Sequence, residues 1–181
     1  GNNSGAWVMP LTEVFEGGWP WILLLPSGIH WAWRHRKTST GVWELGLLVG
    51  SALMVLPLRT QLPWYSHLLW PPIALLCGEA LAGLFKEGRP CWIAHAWKWI
   101  GTVLLFSTIV LMALNSSAAL PFPALLAAGL GLLIGGLKLS KSQERQRRQG
   151  LALVVTGWSI GLLMLWHSQL WLWELNEIWD P

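Results

Sequence analysis

Three charged residues and four histidines stand within or at the edges of long apolar runs of this 181-residue chain, and chemistry could sit there. The charges are Glu44, Glu79 and Lys98. A charge inside a membrane segment is expensive, so it marks a partner or a function. Glu79 lies six residues before Phe85 and Lys98 six after Trp92, the facing ends of two consecutive apolar runs. At 1.5 Å per residue both sit roughly 9 Å inside their helices. The short connection makes these runs a hairpin in which Glu79 and Lys98 are expected to pair. The pair could fix the hairpin's register, or form an ion or proton relay with Glu44 and His95. Lys98 could instead snorkel past Trp97 and Trp99 to the phosphate layer.

The histidines fall into two depth-matched pairs. His30 and His95 lie toward one membrane face, His67 and His167 toward the other. Two histidines on facing helices are what a b-type haem needs as axial ligands, and a single histidine can ligate chlorophyll magnesium. Haem or chlorophyll binding at these four residues is therefore one expectation, set beside plain interfacial histidines. No helix carries the two histidines that a dihaem bundle commonly places on one element. Cys77 and Cys91 form no CxxC or zinc pattern, so no metal site is expected.

The elements that must position these groups are helices in a membrane. The chain is 54% hydrophobic and 12% charged, with a mean hydropathy of +0.47. Soluble domains carry about 25% charged residues. Six apolar segments are expected as spans: 19–33, 42–58, 63–85, 92–114, 120–137 and 151–173. They are too long and continuous for barrel strands, and lipid offers a backbone no hydrogen-bond partner. The reading is a single all-α integral membrane domain over 1–181. Its first span, with Pro20 and Pro26, is short enough to be re-entrant.

Loop charge sets the orientation. Eleven of the twelve basic residues fall on one side of this arrangement, with Arg59 the exception. The positive-inside rule places the eleven in the cytoplasm and both termini outside. Tryptophans follow the same scheme. Trp31, Trp33, Trp43, Trp92, Trp97 and Trp99 map to an inner interfacial belt, nine others to the outer side, and Trp158 within a span. The expected location is a prokaryotic inner membrane or a thylakoid-type membrane.

Small-residue pairs four apart, Gly46/Gly50, Gly131/Gly135 and Gly157/Gly161, suit close helix packing. The polar loop from Lys138 to Gly150 reads first as a topology signal, and it could also bind anionic lipid headgroups. No HExxH, GxSxG or P-loop occurs, and no nucleic-acid signature. No catalytic residue is assigned, and an enzyme is the less favoured class. The leading expectation is a non-catalytic structural, assembly or accessory subunit of a larger membrane complex. Its partners would be the lipid bilayer and other membrane subunits or further copies of itself. The alternatives are a haem- or chlorophyll-binding electron-transfer subunit and a small-solute or ion permease.

Overall fold

The computed structural model describes residues 9–58, 63–87, 91–114 and 121–167; these are helical, with no strand among them. They group into two compact units, 1–90 and 91–181. The first contains α1 (Met9–Gly17), a 3-10 turn at Trp21–Leu24, α2 (Leu25–Arg34), α3 (Ser39–Val55), a 3-10 turn at Pro63–Leu68 and α4 (Trp70–Glu87). The second contains α5 (Cys91–Leu114), α6 (Phe122–Leu139) and α7 (Glu144–Trp166).

Helices α5, α6 and α7 are long and apolar enough to cross a membrane. At 18 to 24 residues they reach the roughly 30 Å thickness of a bilayer core. The protein is a multi-pass membrane protein whose apolar helices face lipid.

Four expected spans have clearly different boundaries; the second, expected over 42–58, is α3 at Ser39–Val55, three residues earlier at each end. The first is a 3-10 turn followed by the ten-residue α2, with Pro26 in its opening turn. Proline is tolerated there because its missing N–H would be unpaired anyway. The third begins as a 3-10 turn, and its α-helix starts only at Trp70. Pro71 and Pro72 have no N–H to bond back to an earlier turn, so the helix begins with them. The sixth is shifted toward the N-terminus: α7 starts at Glu144 and ends at Trp166. Glu, Arg and Gln are strong helix formers, so the polar run carries the helix out beyond the apolar one. Residues 168–173 of that expected span, and Arg59 and Arg89, lie outside the described residues.

The second unit is built on a two-faced α6. Its sequence GLGLLIGG puts Gly131 and Gly135 on one face and Gly129 and Gly136 on another, because residues four and seven apart share a helical face. The first face meets α7. A Cβ on Gly131 would lie 2.8 Å from the Gly157 Cα, and one on Gly135 would lie 2.7 Å from the Gly150 carbonyl oxygen. The second meets α5. A Cβ on Gly136 would lie 2.7 Å from the Lys98 nitrogen, and one on Gly101 would lie 2.5 Å from the Leu133 nitrogen. Backbone-to-backbone approach of this kind gives dense dispersion contact where lipid provides no hydrophobic drive between helices. The expected close packing is thus found at Gly131/Gly135 and Gly157/Gly161. Gly46 and Gly50 meet nothing within 4 Å of a Cβ among the described residues.

Helix α5 contributes Ile93, Trp97, Gly101 and Thr108 to this interior. Their spacing is helical, and Val103, Phe106 and Ile109 on the other side are exposed for lipid. The Thr108 hydroxyl donates to the Leu104 carbonyl at 2.6 Å, so the buried oxygen is satisfied within its own helix. Trp97 is fully buried, at 0% exposure. Trp97 thus faces the bundle interior rather than lipid. The helix turns it inward, whereas Trp92 and Trp99 remain exposed.

In the first unit, Gly28 of α2 packs against α4. A Cβ there would run into the Leu76 carbonyl oxygen. The Ser66 hydroxyl donates to the Glu13 carboxylate at 2.8 Å, tying the second 3-10 turn to α1. Leu24, Val55, Leu76 and Leu84 fill the core.

Candidate functional site

The strongest polar feature of the first unit begins with a glycine. Gly41 is in the first turn of α3, and its missing side chain lets that turn rest on the end of α2. A Cβ would lie 2.7 Å from the Ala32 carbonyl oxygen and 2.6 Å from that of His35. Glu44 follows one residue short of a full turn later and is 5% exposed. Its Oε2 has no hydrogen-bond partner among the described residues. The charged groups acting on it are Glu79 of α4 and His35, just past α2.

His35 is held in place. Its Nδ1–H donates to the Trp31 carbonyl at 2.9 Å, and its ring stacks on Trp31 with centroids 4.2 Å apart. A carbonyl only accepts, so this contact fixes the hydrogen on Nδ1. The arrangement is a buried carboxylate, a second carboxylate and an oriented imidazole. Chemically these are groups that exchange protons. Among the described residues no group of three or more His, Cys, Asp or Glu side chains is placed to hold a metal ion. The sequence pairs Glu79 with Lys98 and sets Glu44 in a relay with them and His95; it gives His35 no part. The signal available was its position four residues after Trp31.

This cluster gives a stability expectation with a definite sign. A buried carboxylate with an oxygen that has no partner among the described residues destabilises the fold, and neutralising it is neutral or favourable. Glu44→Gln should therefore raise thermal stability in detergent by about 1 kcal/mol. A loss of that size instead would mean the carboxylate itself holds the fold.

The remaining candidates are placed as follows. Glu79 belongs to the first unit and Lys98 to the second. The Lys98 Nζ sits over the Trp99 ring, 5.5 Å from its centroid. Each expected histidine pair, His30 with His95 and His67 with His167, also has one member in each unit. All four are exposed. His67 lies in the second 3-10 turn, not inside a long helix, and His167 caps the end of α7. His95 Nδ1 donates to the Cys91 carbonyl at 2.9 Å and His167 Nδ1 to the Leu163 carbonyl at 2.8 Å.

An apolar cavity of about 330 Å³ lies in the first unit among Gly17, Trp21, Leu24, Trp70, Ile73 and Cys77. Glycines at 17 and 18 leave its wall thin, and the two indoles frame it. The Cys77 thiol contacts the Trp21 carbonyl at 3.5 Å.

Comparison with known proteins gives one local likeness. Over 71 residues, 39% of the chain, the sequence is 37% identical to undecaprenyl phosphate-alpha-4-amino-4-deoxy-L-arabinose arabinosyl transferase 1 of Pseudomonas fluorescens. The matched stretch spans 13% of that protein's length. No protein-family model matches the chain, and no solved structure matches it.

Proposed function

We infer that this chain is a non-catalytic, helical membrane part of a larger assembly, and that the assembly transfers a sugar carried on a polyprenyl phosphate. The observation that carries this reading is the 37% identity to the arabinosyl transferase over 71 residues. That protein's name joins a polyprenyl phosphate to an amino sugar. Two features of the chain agree with such a setting. Three helices are long and apolar enough to cross a membrane. The 330 Å³ cavity is lined by apolar groups and falls in the size range of ligand pockets, about 300–1,000 Å³.

In this reading the six apolar segments all span, the basic loops are cytoplasmic and both termini lie outside. The chain's own contribution is packing. Its glycine seams hold a rigid bundle against which the reacting subunit or domain is set. The test is whether membranes lose transfer of a polyprenyl-phosphate-linked sugar when this chain is removed. They should lose it, and unchanged transfer would contradict the assignment.

A further inference from the structure

One end of the second unit gathers cations from three helices. Between residues 91 and 167 there are six basic residues and one carboxylate, Glu144, and all seven stand toward this end. Lys98 and Lys138 leave from neighbouring helices at one level, because Gly136 packs on the Lys98 backbone only two residues before Lys138. The Lys138 Nζ donates to the Gln149 Oε1 at 2.8 Å and so ties α6 to α7. Arg147 is 7% exposed, and its guanidinium donates to the Ser142 carbonyl. That bond holds the turn between α6 and α7 in shape. Lys141, Arg145 and Arg148 are exposed around the turn.

The cations border lipid-facing surface. Ile134 and Leu137 of α6 are exposed beside Lys138, and Trp99 of α5 is exposed beside Lys98. In a membrane, cations at the end of an apolar bundle stand at headgroup depth, and the exposed aliphatic side chains give an acyl chain a surface to lie on.

We propose that the α6–α7 turn, through Lys141, Arg145 and Arg148, binds the headgroup of an anionic phospholipid whose chain lies along α6. A free phosphate would use the cations alone. The adjoining exposed Ile134 and Leu137 favour an intact lipid. This site is independent of which group the assembly transfers.

Native mass spectrometry of the full chain in detergent tests it, with phosphatidylglycerol and phosphatidylcholine of identical chains added in turn. The wild type should retain phosphatidylglycerol in preference. Each removed cation should weaken that binding about fivefold, so Lys141→Gln/Arg145→Gln/Arg148→Gln should weaken it about a hundredfold. Lys141→Arg should leave it unchanged and shows that charge, not the particular side chain, matters. Equal retention of the two lipids, an undiminished preference in the triple variant, or displacement by equimolar inorganic phosphate would each overturn the proposal.

Discussion

Gly131→Leu, and more so Gly131→Leu with Gly157→Leu, should take the second unit apart. The Cβ alone would lie 2.8 Å from both the Gly157 Cα and the Leu153 carbonyl oxygen. Those are backbone atoms and cannot swing aside as a side chain could. The helices would have to separate, and every contact along the Gly131, Gly135, Gly150 and Gly157 seam would weaken together. Overpacking in a core costs roughly 1–3 kcal/mol where neighbours can adjust. With backbone on both sides the single variant belongs at the top of that range, and the double variant should not hold a folded bundle. Gly46→Leu is the control. A Cβ there meets nothing within 4 Å, so its effect should stay within about 0.5 kcal/mol. Helices persist when membrane bundles come apart, so unfolding should be followed by tryptophan fluorescence in mixed micelles. Equal midpoints for Gly131→Leu and Gly46→Leu would sink the seam.

Trp97→Ala should be the most damaging single truncation. Its side chain is the largest of the fully buried set and sits at 0% exposure in the three-helix interior. Removing it leaves a cavity that the rigid glycine seams cannot close, and such truncations cost about 3–5 kcal/mol. Trp99→Ala, two residues on and exposed, should cost under about 1 kcal/mol in the same fluorescence titration. Similar costs for the two would show that Trp97 is not part of the bundle interior.

These two residues also show what a linear reading could and could not reach. The helical class and the approximate places of α5 and α6 follow from apolar run length alone. The start of α7 does not, because hydropathy records apolarity whereas Glu144 to Gln149 are polar and still helical. Residue type places Trp97 at interfacial depth but does not say which way it faces. The spacing Ile93, Trp97, Gly101, Thr108 carried the better signal, since those residues share a helical face. A small-residue pair says that a backbone can be approached, and not which helix approaches it. Among the described residues Gly131/Gly135 has a partner and Gly46/Gly50 does not. At the polar site, Glu44 and Glu79 were legible as charges in apolar surroundings. His35 was not, because Gly41 seats α3 on the end of α2, a contact between elements that no spacing within one segment encodes.

The most direct measurement is transfer of a radiolabelled sugar from polyprenyl phosphate in membranes of cells lacking this chain. The three complements are the wild type, Gly46→Leu and Gly131→Leu. The expected result is transfer restored by the first two and not by the third, which would make a packed bundle a requirement of the reaction. Full transfer without the chain, or full rescue by Gly131→Leu in membranes where its bundle has come apart, would contradict it.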